Sequence, residues 1–142
     1  MNRAFPTLIA CSLLLSFAWP QAEAPVALGP DDSKLICDIV RVMECWPDGD
    51  CTAGTPESVD LPHFIQLDLD AKSIGSPSPG FDAGSATVDS VDRTDGRIAL
   101  TGGGREGRIW SLLISEQTGE LNGAVLAGGF SLLVYGACVL DE

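Results

Sequence analysis

RIALTGGGREGRIWSLLISEQTGELNGAVLAGGFSLLVYGACV, residues 97–139, holds the clearest period in the chain. Apolar residues alternate with polar or small ones at Ile98 and Leu100, at Trp110, Leu112 and Ile114, and at Phe130, Leu132 and Val134. Polar, glycine-rich breaks at 102–107, 116–120 and 128–129 separate the runs. Strand side chains point alternately to opposite faces, so a period of two bounded by turn chemistry predicts antiparallel strands joined by hairpins. Four strands are expected, at about 97–101, 108–115, 120–127 and 129–139.

Upstream, Leu61 to Asp70 alternates in the same way, with Leu61, His63, Ile65, Leu67 and Leu69 on one face and Gln66, Asp68 and Asp70 on the other. Residues 73–80, rich in serine, proline and glycine, read as a loop. A short strand at 86–91 and a turn at 92–96 lead into Ile98. Leu35 to Cys45 suits either a helix capped by Asp32 or Ser33, or a strand with Leu35, Cys37, Ile39, Met43 and Cys45 on one face and Arg41 as the exception. The strand is preferred, because β-branched residues are plentiful and a turn follows at once. The expected fold is all-β: a small antiparallel meander or barrel of about 7–8 strands, lipocalin-like in outline, whose closure removes exposed sheet edges.

The first 24 residues read as an address. Arg3 supplies a positive start, and Phe5 to Trp19 form an apolar run short of the about 20 residues that span a bilayer. This is the pattern of a secretory signal peptide. Ala22-Glu23-Ala24 is the expected cleavage site and Ser16-Phe17-Ala18 the fallback, while Leu8-Ile9-Ala10-Cys11 also has lipobox form, with Cys11 as the lipidated residue of a less favoured lipoprotein. Residues 25–33 read as an exposed lead-in, and 34–142 as one β domain. The localisation that follows is periplasmic or secreted, with no transmembrane segment once the leader is gone.

The formal net charge is −12, with 8 Lys and Arg against 20 Asp and Glu. Such a surface repels phosphate backbones and anionic lipid, which disfavours nucleic acid as a partner and leaves a cationic protein as a candidate. Outside the leader stand four cysteines, an even count that in an exported chain reads as a disulfide set with three possible connectivities. Cys45 and Cys51 flank Pro47-Asp48-Gly49, strong turn chemistry that would bring their sulfurs together. Cys37 is left for Cys138, a link between the first strand and the last.

Most chemical motifs fail on inspection. Gly102-Gly103-Gly104-Arg105-Glu106-Gly107 satisfies G-x-G-x-x-G, but a strand pattern follows where a phosphate site needs a helix, so it reads as a flexible hairpin loop and no cofactor is implied. Cys-x7-Cys-x5-Cys offers no zinc pair, and Asp89, Asp92 and Asp95 recur at intervals of three where a calcium loop needs two, so no metal is expected. His63, the sole histidine, reads as a hydrogen-bonded wall residue. Its catalytic alternative, a minor hydrolase with His63 as general base, needs an orienting carboxylate and a nucleophile that nothing in the sequence selects. Trp110 reads as core with an indole N–H needing a partner, and Trp46 as a partly exposed residue on the turn. Trp110 and Phe130 would line any cavity, with Tyr135 outward.

Cys37, Glu44-Cys45, Cys51, Leu61-Pro62, Leu67-Asp68, Trp110-Ser111 to Ile114, Thr118-Gly119 and Gly136-Ala137-Cys138 together resemble a set of small, uncharacterised exported proteins of Gram-negative bacteria. The resemblance implies a secreted small β-barrel and brings no activity with it. A wider likeness is to the periplasmic C-type lysozyme inhibitors, small cysteine-crosslinked barrels whose S-G-x-x-Y loop this chain lacks. The expected function is a noncatalytic binding or interaction module. It would take a small apolar ligand at Trp110 and Phe130, with Trp46 and His63 as further contacts, or present acidic loops to a basic protein.

Overall fold

The computed structural model describes residues 27–77 and 86–141. The leader, its cleavage sites and the Cys11 lipobox lie outside the described residues. Among the described residues, nine strands form one antiparallel sheet: β1 (Lys34–Cys45), β2 (Cys51–Gly54), β3 (Phe64–Asp68), β4 (Ser73–Gly75), β5 (Ala86–Thr94), β6 (Arg97–Gly104), β7 (Ile109–Ser115), β8 (Glu120–Ala127) and β9 (Phe130–Leu140). The order β4-β3-β1-β9-β8-β7-β6-β5 rolls eight of them into a nearly closed barrel, and β2 pairs with the far half of β1. The edges β4 and β5 approach within 8 Å between Cα atoms without forming a ladder.

β1 is therefore a strand and not a helix, and it joins the meander to its own beginning. Cys37 and Cys138 face each other across the β1–β9 ladder and are disulfide-bonded, as are Cys45 and Cys51 at the end of the β1–β2 pair. The register slips between Ile39 and Arg41, leaving Val40 as the extra, exposed residue of a bulge. One inserted residue turns the following side chains to the opposite face. Beyond the bulge it is Val42 that is buried, and Met43 and Cys45 leave the inner face on which strict alternation had placed them.

Three other expectations are corrected. β3 begins only at Phe64, because Pro62 has no N–H for a ladder and Leu61-Pro62 belong to the approach from a short 3-10 turn at Pro56–Val59. The loop expected from residue 73 starts later, since Ser73–Gly75 form β4 against β3. The glycine-rich segment is not a flexible loop: Gly102 and Gly103 pair with Trp110 and Ile109 as strand, and only Arg105–Gly107 turn. A Cβ on Gly102 would stand 2.4 Å from Cζ2 of Trp110, so the missing side chain is what lets the indole cross its neighbour strand.

The barrel has two unlike ends. At the end holding the β5–β6 and β7–β8 turns, Leu and Ile fill the interior: Leu35, Leu67, Leu69, Ile98, Leu100, Ile114 and Leu121 are all buried. The lead-in crosses this end and is not wholly exposed, for Leu28 is buried and donates its N–H to the Glu116 carbonyl at 2.7 Å. Arg93 donates to the carbonyls of Pro30 and Asp32, and its Nε lies 2.8 Å from a Glu116 carboxylate oxygen. That last contact is an ion pair and not an aligned hydrogen bond. No helix among the described residues is long and apolar enough to cross a membrane.

Candidate functional site

The opposite end gathers the Cys45–Cys51 turn, the segment 55–63, the Arg105–Gly107 turn and the β8–β9 hairpin. Inward positions here carry small residues, Ala86, Gly104 and Val125, where the closed end carries Leu and Ile. An eight-stranded barrel is just wide enough to be filled by its side chains or to hold one small ligand. Removing bulk at one end leaves a cleft of about 420 Å³. Its wall is apolar: Ile39, Ile65, Ile74, Trp110, Leu112, Val125 and Val134. Its rim is polar, with Asp60, Arg105, Glu106 and Arg108.

Trp110 is only 7% exposed, and its Nε1 donates to the Gly103 carbonyl at 3.0 Å. The indole N–H is thereby satisfied on the strand beneath it, leaving the apolar ring as a cleft surface. The two rim carboxylates stand on left-handed backbone, Asp60 at φ 56 and Glu106 at φ 58. Asp tolerates this conformation, while the longer Glu is held there by the short turn closed by Arg108 N–H on the Arg105 carbonyl at 3.2 Å. Arg108 lies 3.7 Å from Glu106.

The other residues singled out from sequence divide into two places. Phe130 does not line the cleft. It packs against Trp46 with ring centroids 5.6 Å apart, and the pair borders a separate shallow recess beside the Cys45–Cys51 disulfide. Trp46 is 46% exposed, and Tyr135 is exposed on the outer face.

His63 is not a wall residue among Leu61, Ile65 and Leu67. It precedes β3, where alternation no longer applies, and about half of its side chain meets solvent. Its Nε2 pairs with the Glu57 carboxylate and its Nδ1 lies 3.9 Å from Asp38. The Glu57 carboxyl sits below its ordinary value, first through a hydrogen bond to its own backbone, then through Thr55, with the His63 charge a lesser contributor. Both ring nitrogens are thus turned toward carboxylates. No group of three or more His, Cys, Asp or Glu that could hold a metal ion occurs among the described residues.

The rim arginines and most of the wall were missed in sequence. The available signal was slight: Ala86 and Gly104, which face each other across the β5–β6 ladder, add little bulk to that end of the barrel. Compared with protein-family models, curated proteins and solved structures, the chain matches none of them.

Proposed function

We propose that this domain is an exported, noncatalytic binding module that takes a small apolar ligand into the open end of its barrel. The observation that carries the reading is the half-filled interior: a 420 Å³ apolar cleft with one polar rim, in the size range of small-molecule sites. The two disulfides support an oxidising compartment, as does the leader pattern of residues 1–24. His63 is not among the residues that line the cleft, so the cleft has no histidine to act as a general base.

The test is titration of the protein with a panel of apolar molecules, read by Trp fluorescence and by melting temperature. Ligands of the cleft raise the melting temperature and change the emission of Trp110, and Val125→Phe, which fills the cleft, abolishes both responses. A panel without effect on either readout removes the reading.

A second reading rests on the exposed Trp46, tilted against Phe130 and flanked by Asp48 and Asp50 on a disulfide-closed turn. An exposed aromatic anchor with an acidic surround suits a basic protein partner. Capture of a cationic protein that is lost in Trp46→Ala, and retained in Val125→Phe, favours this reading over the first.

A further inference from the structure

We propose that the ligand of the cleft is an amphiphile with an anionic head, a carboxylate of medium chain length, and that Arg108 holds that head at the rim. The inference rests on the reading of the cleft as an apolar ligand site and adds the chemistry of the ligand's polar end.

The cleft is apolar along its wall and polar only at the mouth, so a molecule that fits both has an apolar body and one polar terminus. The sign of that terminus follows from the rim. The chain carries a net charge of −12, and an anion approaching it meets repulsion over most of its surface. Of the seven basic side chains among the described residues, two stand at this mouth, and the contact that Arg108 makes with Glu106 is long.

Glu106, the carboxylate paired with Arg108, does not cancel this offer. Glu106 has 82% of its side chain in solvent, whereas Arg108 has 40%, so Arg108 is the more buried member of the pair. Their separation of 3.7 Å is long for a charge-assisted hydrogen bond, and such a loose exposed pair exchanges readily for a carboxylate held by two parallel N–H donors. Desolvation by the ligand's own apolar body strengthens the new pair relative to the old one.

The experiment compares decanoate, decanol and decylammonium, which share one chain and differ in head charge, by calorimetric titration at low and high ionic strength. Decanoate is expected to bind about tenfold or more tighter than decanol, the value of a charge-assisted hydrogen bond, and decylammonium weakest. Arg108→Gln brings decanoate to the affinity of decanol while leaving decanol unchanged, and Arg108→Lys, which keeps the charge, retains part of the preference. The preference shrinks as salt rises.

Equal affinities for decanoate and decanol, or a preference untouched by both salt and Arg108→Gln, overturn the assignment of the head while leaving the apolar site intact. Tightest binding of decylammonium also overturns it and assigns the head to Asp60. Binding of none of the three removes the apolar site itself, and this proposal with it.

Discussion

Trp110 and Gly102 face each other across the β6–β7 ladder, and the indole occupies the space that any side chain on Gly102 would need. The same position is closed from the other side by the Thr87 carbonyl, 1.9 Å from a Cβ built there. Gly102→Ala is therefore expected to displace both the ring and the β5 backbone, costing about 1–3 kcal/mol as overpacking of a filled core does. Thermal melting of the variant checks the loss. Wild-type stability would show that the strands part without cost.

The two disulfides differ in what they restrain. Cys37 and Cys138 lie 101 positions apart, Cys45 and Cys51 only 6. In the chain-entropy model the long loop contributes about 4–5 kcal/mol and the short one about half of that. Urea unfolding of the paired alanine variants is expected to place Cys37→Ala/Cys138→Ala well below Cys45→Ala/Cys51→Ala. The reverse order would mean that the restraint acts mainly on the Trp46 turn.

Arg93 holds the lead-in against the closed end through the Pro30 and Asp32 carbonyls, while Glu116 receives the Leu28 N–H and pairs with Arg93. Arg93→Met removes the charged donors and is expected to cost about 1.5–3 kcal/mol. Hydrogen exchange localises the effect: the Leu28 amide loses protection first, and amides of β7 and β8 keep theirs until global unfolding.

Acid weakens the segment that carries the mouth. The Glu57 carboxyl in the folded protein titrates below its ordinary value of 4.5, so its ionised form is favoured by folding. The contribution is present above that value and is lost as pH falls through the lower folded one. Melting temperatures measured across the acid range are expected to converge for wild type and Glu57→Gln at the acid end and to separate, with wild type higher, at neutral pH. The effect is small because Glu57 is solvent-exposed.

Much of the fold was legible in residues 97–139, because inward apolar residues recur at every second position there and the breaks contain turn chemistry. The β8 bounds follow from that pattern, while Cys37–Cys138 was the pair left once the Pro47-Asp48-Gly49 turn had joined Cys45 to Cys51. What misled was local. Alternation through Met43 fails because a single bulged residue at Val40 reverses the faces, and Arg41, the charged exception on the expected inner face, was its mark in the sequence.

His63 was misplaced because a period of two was extended across Pro62 into a segment that is not strand. The aromatics were the right residues in the wrong grouping. Trp110 and Phe130 share an inward parity, yet β9 carries Phe130 past the barrel's rim to Trp46, so parity alone does not say how far along the axis a side chain lies. The rim arginines were hidden because a charge beside glycines reads as an ordinary solvated turn until the empty space beneath it is known.

β1 is flanked by β9 on one side and by β3 and β2 on the other, so the earliest strand to be synthesised waits for the latest. Pairings this distant in sequence form slowly, since the intervening chain must be gathered before any reward is obtained. A nascent chain of this design stays pliable until its C-terminal strand has emerged. That delay sets the cysteines of β1 and β9 side by side only late in folding.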